Sequence, residues 1–140
     1  MAERDLVTGV VQLGNLLTRR LAPLFERQNV TPQQWFVLAA LFESGEPMTL
    51  AAVARSMLVS KQNMTGMVAR LEHLGLVERI DDPADLRASR IRLTRRGRGV
   101  VEKLRGPYRQ WVEELGGREA RPLTHSINRL IAQLQQTEDE

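Results

Sequence analysis

Residues 49–94 read TLAAVARSMLVSKQNMTGMVARLEHLGLVERIDDPADLRASRIRLT, and within this stretch the periodicity changes character. Thr49 can cap a short helix whose apolar positions are Leu50, Val53, Ala54 and Met57. After a break at Leu58-Val59 comes Ser60, another good N-cap. From Lys61 to Leu74, Met64, Met67, Val68, Leu71 and Leu74 fall on one side of a second helix, which Gly75 ends. Helical spacing then gives way to alternation. Leu76–Ile80 and Arg90–Thr94 read as two strands, joined by a nine-residue loop from Asp81 to Ser89. Short helix, tight break, second helix and strand–loop–strand make the order of a winged helix-turn-helix.

That order points to duplex DNA, because a helix enters the roughly 12 Å major groove only when a second element braces it across the phosphates. Residues 49–57 would brace and residues 60–74 would read. Away from its apolar stripe the second helix carries Lys61, Gln62, Asn63, Thr65, Gly66 and Arg70. Gln and Asn can pair bidentately with adenine, and Arg and Lys can contact guanine or phosphate. Gly66 is costly in a helix interior, and close approach to another surface is one reason to keep it. The same residues would also serve as an ordinary solvated face. On the second strand, Arg90 and Arg92 alternate with Ile91 and Leu93, which puts both arginines on the solvent side. Arg87, near the loop tip, suits a narrow minor groove, and Asp85 can hold it extended by a charge-assisted bond.

Working outward, Leu6, Val10, Leu13, Leu17, Leu21 and Leu24 lie at spacings of three and four, so residues 5–28 form a long amphipathic helix. Val30-Thr31-Pro32-Gln33-Gln34-Trp35 is a dense helix-start signal: Thr31 as N-cap, Pro32 first, Gln34 as reciprocal cap, and Val30 stapled against Trp35. This helix runs to about Glu43. Towards the C-terminus, Val100, Val101, Leu104, Tyr108, Trp111, Val112 and Leu115 mark one helix, with a bend at Gly106-Pro107. Gly116-Gly117 break it, and Leu123, Ile127, Leu130, Ile131 and Leu134 mark the last. Helices at both ends carry apolar faces to bury.

Composition agrees. The 140 residues are 42% hydrophobic and 26% charged, which is globular, and no apolar run approaches a membrane span. Neither a membrane segment nor a signal peptide is expected, and a cytoplasmic location is. With no cysteine there is no thiol chemistry. The only histidines, His73 and His125, offer no zinc set, so no metal or other cofactor is expected. Nothing resembles a phosphate-cradling glycine loop or a nucleophile elbow, which argues against an enzyme. Of 20 basic side chains only Lys61 and Lys103 are lysine, and six arginines fall between Arg87 and Arg98. Arginine's planar fork suits phosphates and base edges.

Three segments together, Thr31–Trp35, Ser60–Arg79 with its Leu71-Glu72-His73-Leu74-Gly75-Leu76-Val77-Glu78-Arg79 close, and Asp82-Pro83-Ala84-Asp85-Leu86-Arg87 leading to Leu93-Thr94-Arg95-Arg96-Gly97, resemble the multiple-antibiotic-resistance regulator (MarR) family. The resemblance covers nearly the whole chain in the right order. It implies a homodimeric transcriptional regulator, a repressor or sometimes an activator, on a pseudo-palindromic operator. It implies that Ser60, Lys61, Gln62, Asn63 and Thr65 face the major groove, and that Arg87 enters the minor groove oriented by Asp85. The first helix and the last two are implied to make the dimer. On this reading the chain is a single domain, 1–140, mainly α with a small β-hairpin wing. Residues 30–99 form the DNA-binding lobe, and 1–29 and 100–140 supply the dimerisation helices.

Many members of that family release DNA when a small aromatic acid binds between the dimer arm and the DNA-binding lobe. Trp35, Phe36, Tyr108 and Trp111, with Arg19 or Arg20, are the residues here that would line such a cleft, although aromatics so placed are more often simple core. Two other readings remain: a basic RNA- or ribosome-binding protein without an operator, and a protein–protein adaptor on the same fold. An operator reader prefers one duplex by about a thousandfold or more, an RNA binder prefers structured or single-stranded RNA, and an adaptor shows no salt-dependent DNA affinity.

Overall fold

The computed structural model describes residues 3–82 and 84–138, and for Asp82, Leu86, Arg87, Ala88 and Glu138 the backbone alone. Helices α1 (Leu6–Glu26) and α2 (Pro32–Ser44) lead into strand β1 (Met48–Thr49), then α3 (Leu50–Met57) and α4 (Lys61–His73). Strands β2 (Val77–Asp82) and β3 (Asp85–Leu93) follow, then α5 (Arg95–Glu114), a single 3-10 turn at Gly117–Glu119, and α6 (Ala120–Glu138). Two compact units divide after Arg105.

Local chemistry sets most of these boundaries. Asp5 begins α1 by accepting from the Thr8 amide (2.8 Å) and hydroxyl (2.9 Å), and the amide bond chiefly holds its carboxyl below the ordinary 3.8. At α2 the expected capping box is present: Gln34 N donates to Thr31 Oγ1 (3.1 Å) while Thr31 N donates to Gln34 Oε1 (2.9 Å). Thr49 and Ser60 cap α3 and α4, accepting from the amides of Ala52 and Asn63, each at 3.1 Å.

Three helices end alike, with a residue in the left-handed region and two amides turned back onto the last turn. After α1, Val30 N bonds Phe25 O (3.3 Å) and Asn29 N bonds Glu26 O (3.0 Å). After α3, Val59 N bonds Ala54 O and Leu58 N bonds Arg55 O, both at 3.1 Å. After α4, Leu76 N bonds Leu71 O (3.0 Å) and Gly75 N bonds Glu72 O (2.9 Å). The left-handed residues are Asn29 (φ 59°), Leu58 (φ 55°) and Gly75 (φ 75°). Asn and Gly adopt that region readily, whereas a leucine there costs about 1–2 kcal/mol.

The sheet is antiparallel, in the order β1-β3-β2. On β3, Leu93 faces Val77, Arg92 faces Glu78, Ile91 faces Arg79, and Arg90 faces Ile80. Its other edge pairs Ile91 with Met48 and Arg90 with Thr49. Two expectations change here. The nine residues from Asp81 to Ser89 are not one loop: the strands continue past an irregularity at Ile80/Asp82 and pair Asp82 with Asp85. Backbone pairing extends these strands through a polar stretch that lacks an alternating apolar signal. β1 was also unexpected, because two residues leave no periodicity and their partner lies about forty positions along the chain.

Thr94 belongs to the helix that follows rather than to the strand. Its hydroxyl accepts from Gly97 N (3.0 Å) and donates to Gly75 O (2.6 Å), and its amide bonds Leu76 O (3.1 Å). So α5 begins at Arg95 and continues through Pro107. In the unit of residues 3–105 the core gathers Leu21 and Phe25 of α1, Trp35, Val37, Leu38 and Leu41 of α2, and Val53 of α3. Met64, Val68 and Leu71 of α4, Ile91 of β3 and Val100, Val101 and Leu104 of α5 join them, with Val30, Ala54, Leu76, Val77 and Leu93 also buried. The N-terminal half of α1 stays outside this core, with Leu6, Val7, Val10 and Val11 exposed. Taken by itself, the unit of residues 106–138 leaves Val112, Leu115, Leu123, Ile127, Ile131 and Leu134 exposed.

Candidate nucleic-acid interface

Burial on one side of α4 fixes what the other side offers. Met64, Val68 and Leu71 are wholly buried, so at 3.6 residues per turn Lys61, Gln62, Asn63, Thr65, Gly66, Ala69 and Arg70 face outward, and all are exposed. Ser60, exposed at the N-cap, already accepts the Asn63 amide. The Thr65 hydroxyl donates back to Lys61 O (2.9 Å), so its proton is committed within the helix while its oxygen can still accept. The first-turn amides that the Ser60 cap leaves free carry partial positive charge, and Lys61 adds a full one. This end therefore attracts an anion and presents amide and hydroxyl groups able to read base edges.

Gly66 leaves a bare patch in the middle of this face. A β-carbon there would meet nothing within 4 Å, so nothing else in the fold claims that space. Beside it, Asn63, Gly66 and Arg70 of α4 and Asn29 and Thr31 at the α1–α2 corner line a shallow concavity. On α3, Arg55 lies off the Val53/Ala54 stripe and is exposed in the last turn. Sequence reasoning passed over this cation, though its position off the apolar stripe was the available signal.

The wing adds charge of two kinds. Arg92 Nε donates to Glu78 Oε1 at 2.7 Å across the ladder, so its charge is locally balanced. Arg90 lies exposed on the same face, with no ion pair among the described residues. A second pair, Arg79 Nε to Glu72 Oε1 at 3.0 Å, ties β2 to α4. Asp85 opens β3 and is exposed. The backbone of Arg87 lies in β3, but its side chain, and with it the expected bond to Asp85, falls outside the described residues.

The side chains expected to line an effector cleft fall in both units. Arg19 and Arg20 are exposed on α1 and Phe36 is half-buried on α2. Trp35 is 2% exposed, with its ring stacked on Phe25 at 5.5 Å between centroids, which makes it a core side chain. Tyr108 and Trp111, in the other unit, are half-buried, and burial raises the Tyr108 hydroxyl above its ordinary 10.0. Among the described residues there is no cluster of His, Asp and Glu able to hold a metal, and no helix long and apolar enough to cross a membrane.

Residues 28–88 match the model of the MarR family. The transcriptional activatory protein BadR of Rhodopseudomonas palustris is 33% identical over 124 residues, covering 86% of this chain and 71% of the relative. The homoprotocatechuate degradative operon repressor of Escherichia coli is 30% identical over 114 residues, covering 79% and 76%. Among solved structures, the S. aureus MepR–DNA complex superposes with a TM-score of 0.78 at 17% identity, over 93% of this chain and 96% of that one, a likeness of fold. None of these supports an RNA- or ribosome-binding protein. With a family match on the reading lobe, curated relatives along most of the chain and the same winged fold, this chain belongs to the MarR family of transcriptional regulators.

Proposed function

We propose that the chain acts as a homodimer that reads a pseudo-palindromic DNA operator. In this reading α4 of each copy enters a major-groove half-site, with Ser60, Lys61, Gln62, Asn63, Thr65, Gly66 and Arg70 at the DNA. Arg90 of the wing meets phosphate, and Arg87, held by Asp85, enters the minor groove. Half-sites would lie about one helical turn, roughly 34–36 Å, apart. The observation that carries this is the division of α4 into a fully buried apolar side and a continuous exposed polar one.

The dimer rests on the apolar residues left exposed at both ends of the chain, on the first half of α1 and on α6. Large apolar side chains left exposed in series along each of these helices suit burial against a second copy. Residues 1–29 and 100–140 thus serve association, and 30–99 serve DNA. Repression is the regulatory sense we favour, and a small aromatic acid the effector. The relative named for a homoprotocatechuate degradative operon supports that chemical class. Such an effector acts only if it binds the DNA-incompetent arrangement better.

Selection of duplexes from a random pool tests the proposal. A dimer should enrich one inverted repeat and prefer it to random DNA by about a thousandfold or more, with affinity falling steeply as salt rises. Arg87→Ala should weaken binding mainly to sites with A·T-rich flanks. Ile127→Glu with Leu134→Glu should give a folded monomer by sedimentation. A monomeric wild type that treats all duplexes alike at low salt would overturn the reading.

A further inference from the structure

Leu58 occupies a position that its neighbours in the fold fill differently. The matching residues after α1 and α4 are Asn29 and Gly75, and Gly45 ends α2 at φ 68°. These are the residue types that tolerate the left-handed region. Leu58 adopts it at φ 55° with more than half of its surface exposed, and Val59 beside it is 40% exposed. Such a side chain stays strained without the burial that would offset the strain, so the fold itself gives no reason to keep a leucine there.

Its surroundings do. Leu58 and Val59 immediately precede Ser60, the N-cap of the reading helix, and the exposed cations Arg55 and Lys61 flank them in sequence. An apolar pair set between cations suits a surface that is apolar at close range and anionic around it. The major-groove edge of a thymine is such a surface, with its C5 methyl lying inside the phosphate rows. We infer that Leu58, supported by Val59, is a specificity contact that packs on thymine methyl groups at the entrance of each half-site. This inference rests on the DNA reading above and deepens it.

The experiment uses the full-length protein and the inverted repeat it selects, with each thymine replaced in turn by deoxyuridine, which lacks only the methyl. Wild type should lose about fourfold in affinity at one symmetry-related pair of thymines, the effect of one buried methyl. In Leu58→Gly and Leu58→Asn, both compatible with φ 55°, that loss should vanish while sensitivity at other thymines persists, and both variants should melt at or above the wild-type temperature. An unchanged deoxyuridine profile in the variants overturns the inference and leaves the DNA reading standing. Variants that melt well below wild type also overturn it, by giving Leu58 a role inside the fold. If wild type selects no duplex at all, both readings fall.

Discussion

Gly97, in the first turn of α5, lies directly against the backbone of Leu76, the residue that leaves α4 for the wing. A β-carbon on Gly97 would come within 2.9 Å of the Leu76 carbonyl carbon and closer still to its oxygen. Backbone cannot move aside as a side-chain tip can. Gly97→Ala should therefore lower stability by about 1–3 kcal/mol, the range for forcing atoms into a packed interior. Gly99→Ala, two residues along the same helix with nothing within 4 Å, is the control and should stabilise by about 1 kcal/mol. Urea unfolding of the two variants checks the pair. Equal midpoints would mean that α5 and Leu76 do not approach this closely.

Gly66 sets the opposite trade. Alanine there meets nothing in the chain and improves helix propensity, so Gly66→Ala should raise stability by about 1 kcal/mol. If the bare patch is kept for the approach of DNA, the same variant should bind its selected duplex at least tenfold more weakly. Parallel melting and titration curves distinguish this from an indifferent surface, which would gain stability and lose nothing.

Arg90 and Arg92 differ in their partners although they sit on one face of β3. Because Glu78 lies 2.7 Å from Arg92, replacing Arg92 by alanine should change DNA affinity less than replacing Arg90. Arg90→Ala should weaken all duplexes about equally and reduce the slope of log K against log salt by about 1. Stability should move by less than about 1 kcal/mol in either variant, since both side chains are exposed and the surface pair of Arg92 with Glu78 is worth no more than that. A salt series on three proteins decides the order.

Tyr108 is the single tyrosine, so its ionisation can be read directly by ultraviolet absorbance. Burial favours the neutral phenol, and its midpoint in the folded protein should lie above 10.0 and fall back to that value in urea. The sign follows: the stabilisation is fully present below about pH 10 and is lost as pH rises through the folded value. A midpoint at or below 10.0 in the native protein would contradict the burial of this ring.

Signals carried by neighbouring residues were legible in the sequence. Thr31 with Gln34, Thr49, Ser60 and Gly75 set helix boundaries through bonds spanning three to five positions, and the Met64, Val68 and Leu71 spacing marked which face of α4 would be outermost. What stayed hidden depends on distant partners. Met48 pairs with Ile91, the polar stretch after Ile80 extends the ladder without an apolar pattern, and α5 starts under an arginine- and glycine-rich run because Thr94 bonds Gly75 and Gly97 fits Leu76. The strain at Leu58 was invisible for a related reason: the residue type argues against the conformation that the chain adopts.

Thr49 belongs to two elements at once, the last residue of the edge strand and the cap of α3. A tilt of the wing therefore pulls on the first turn of the bracing helix through one shared peptide, with no slack linker to absorb it. A displacement of β3 would thus be passed through β1 to the first turn of α3.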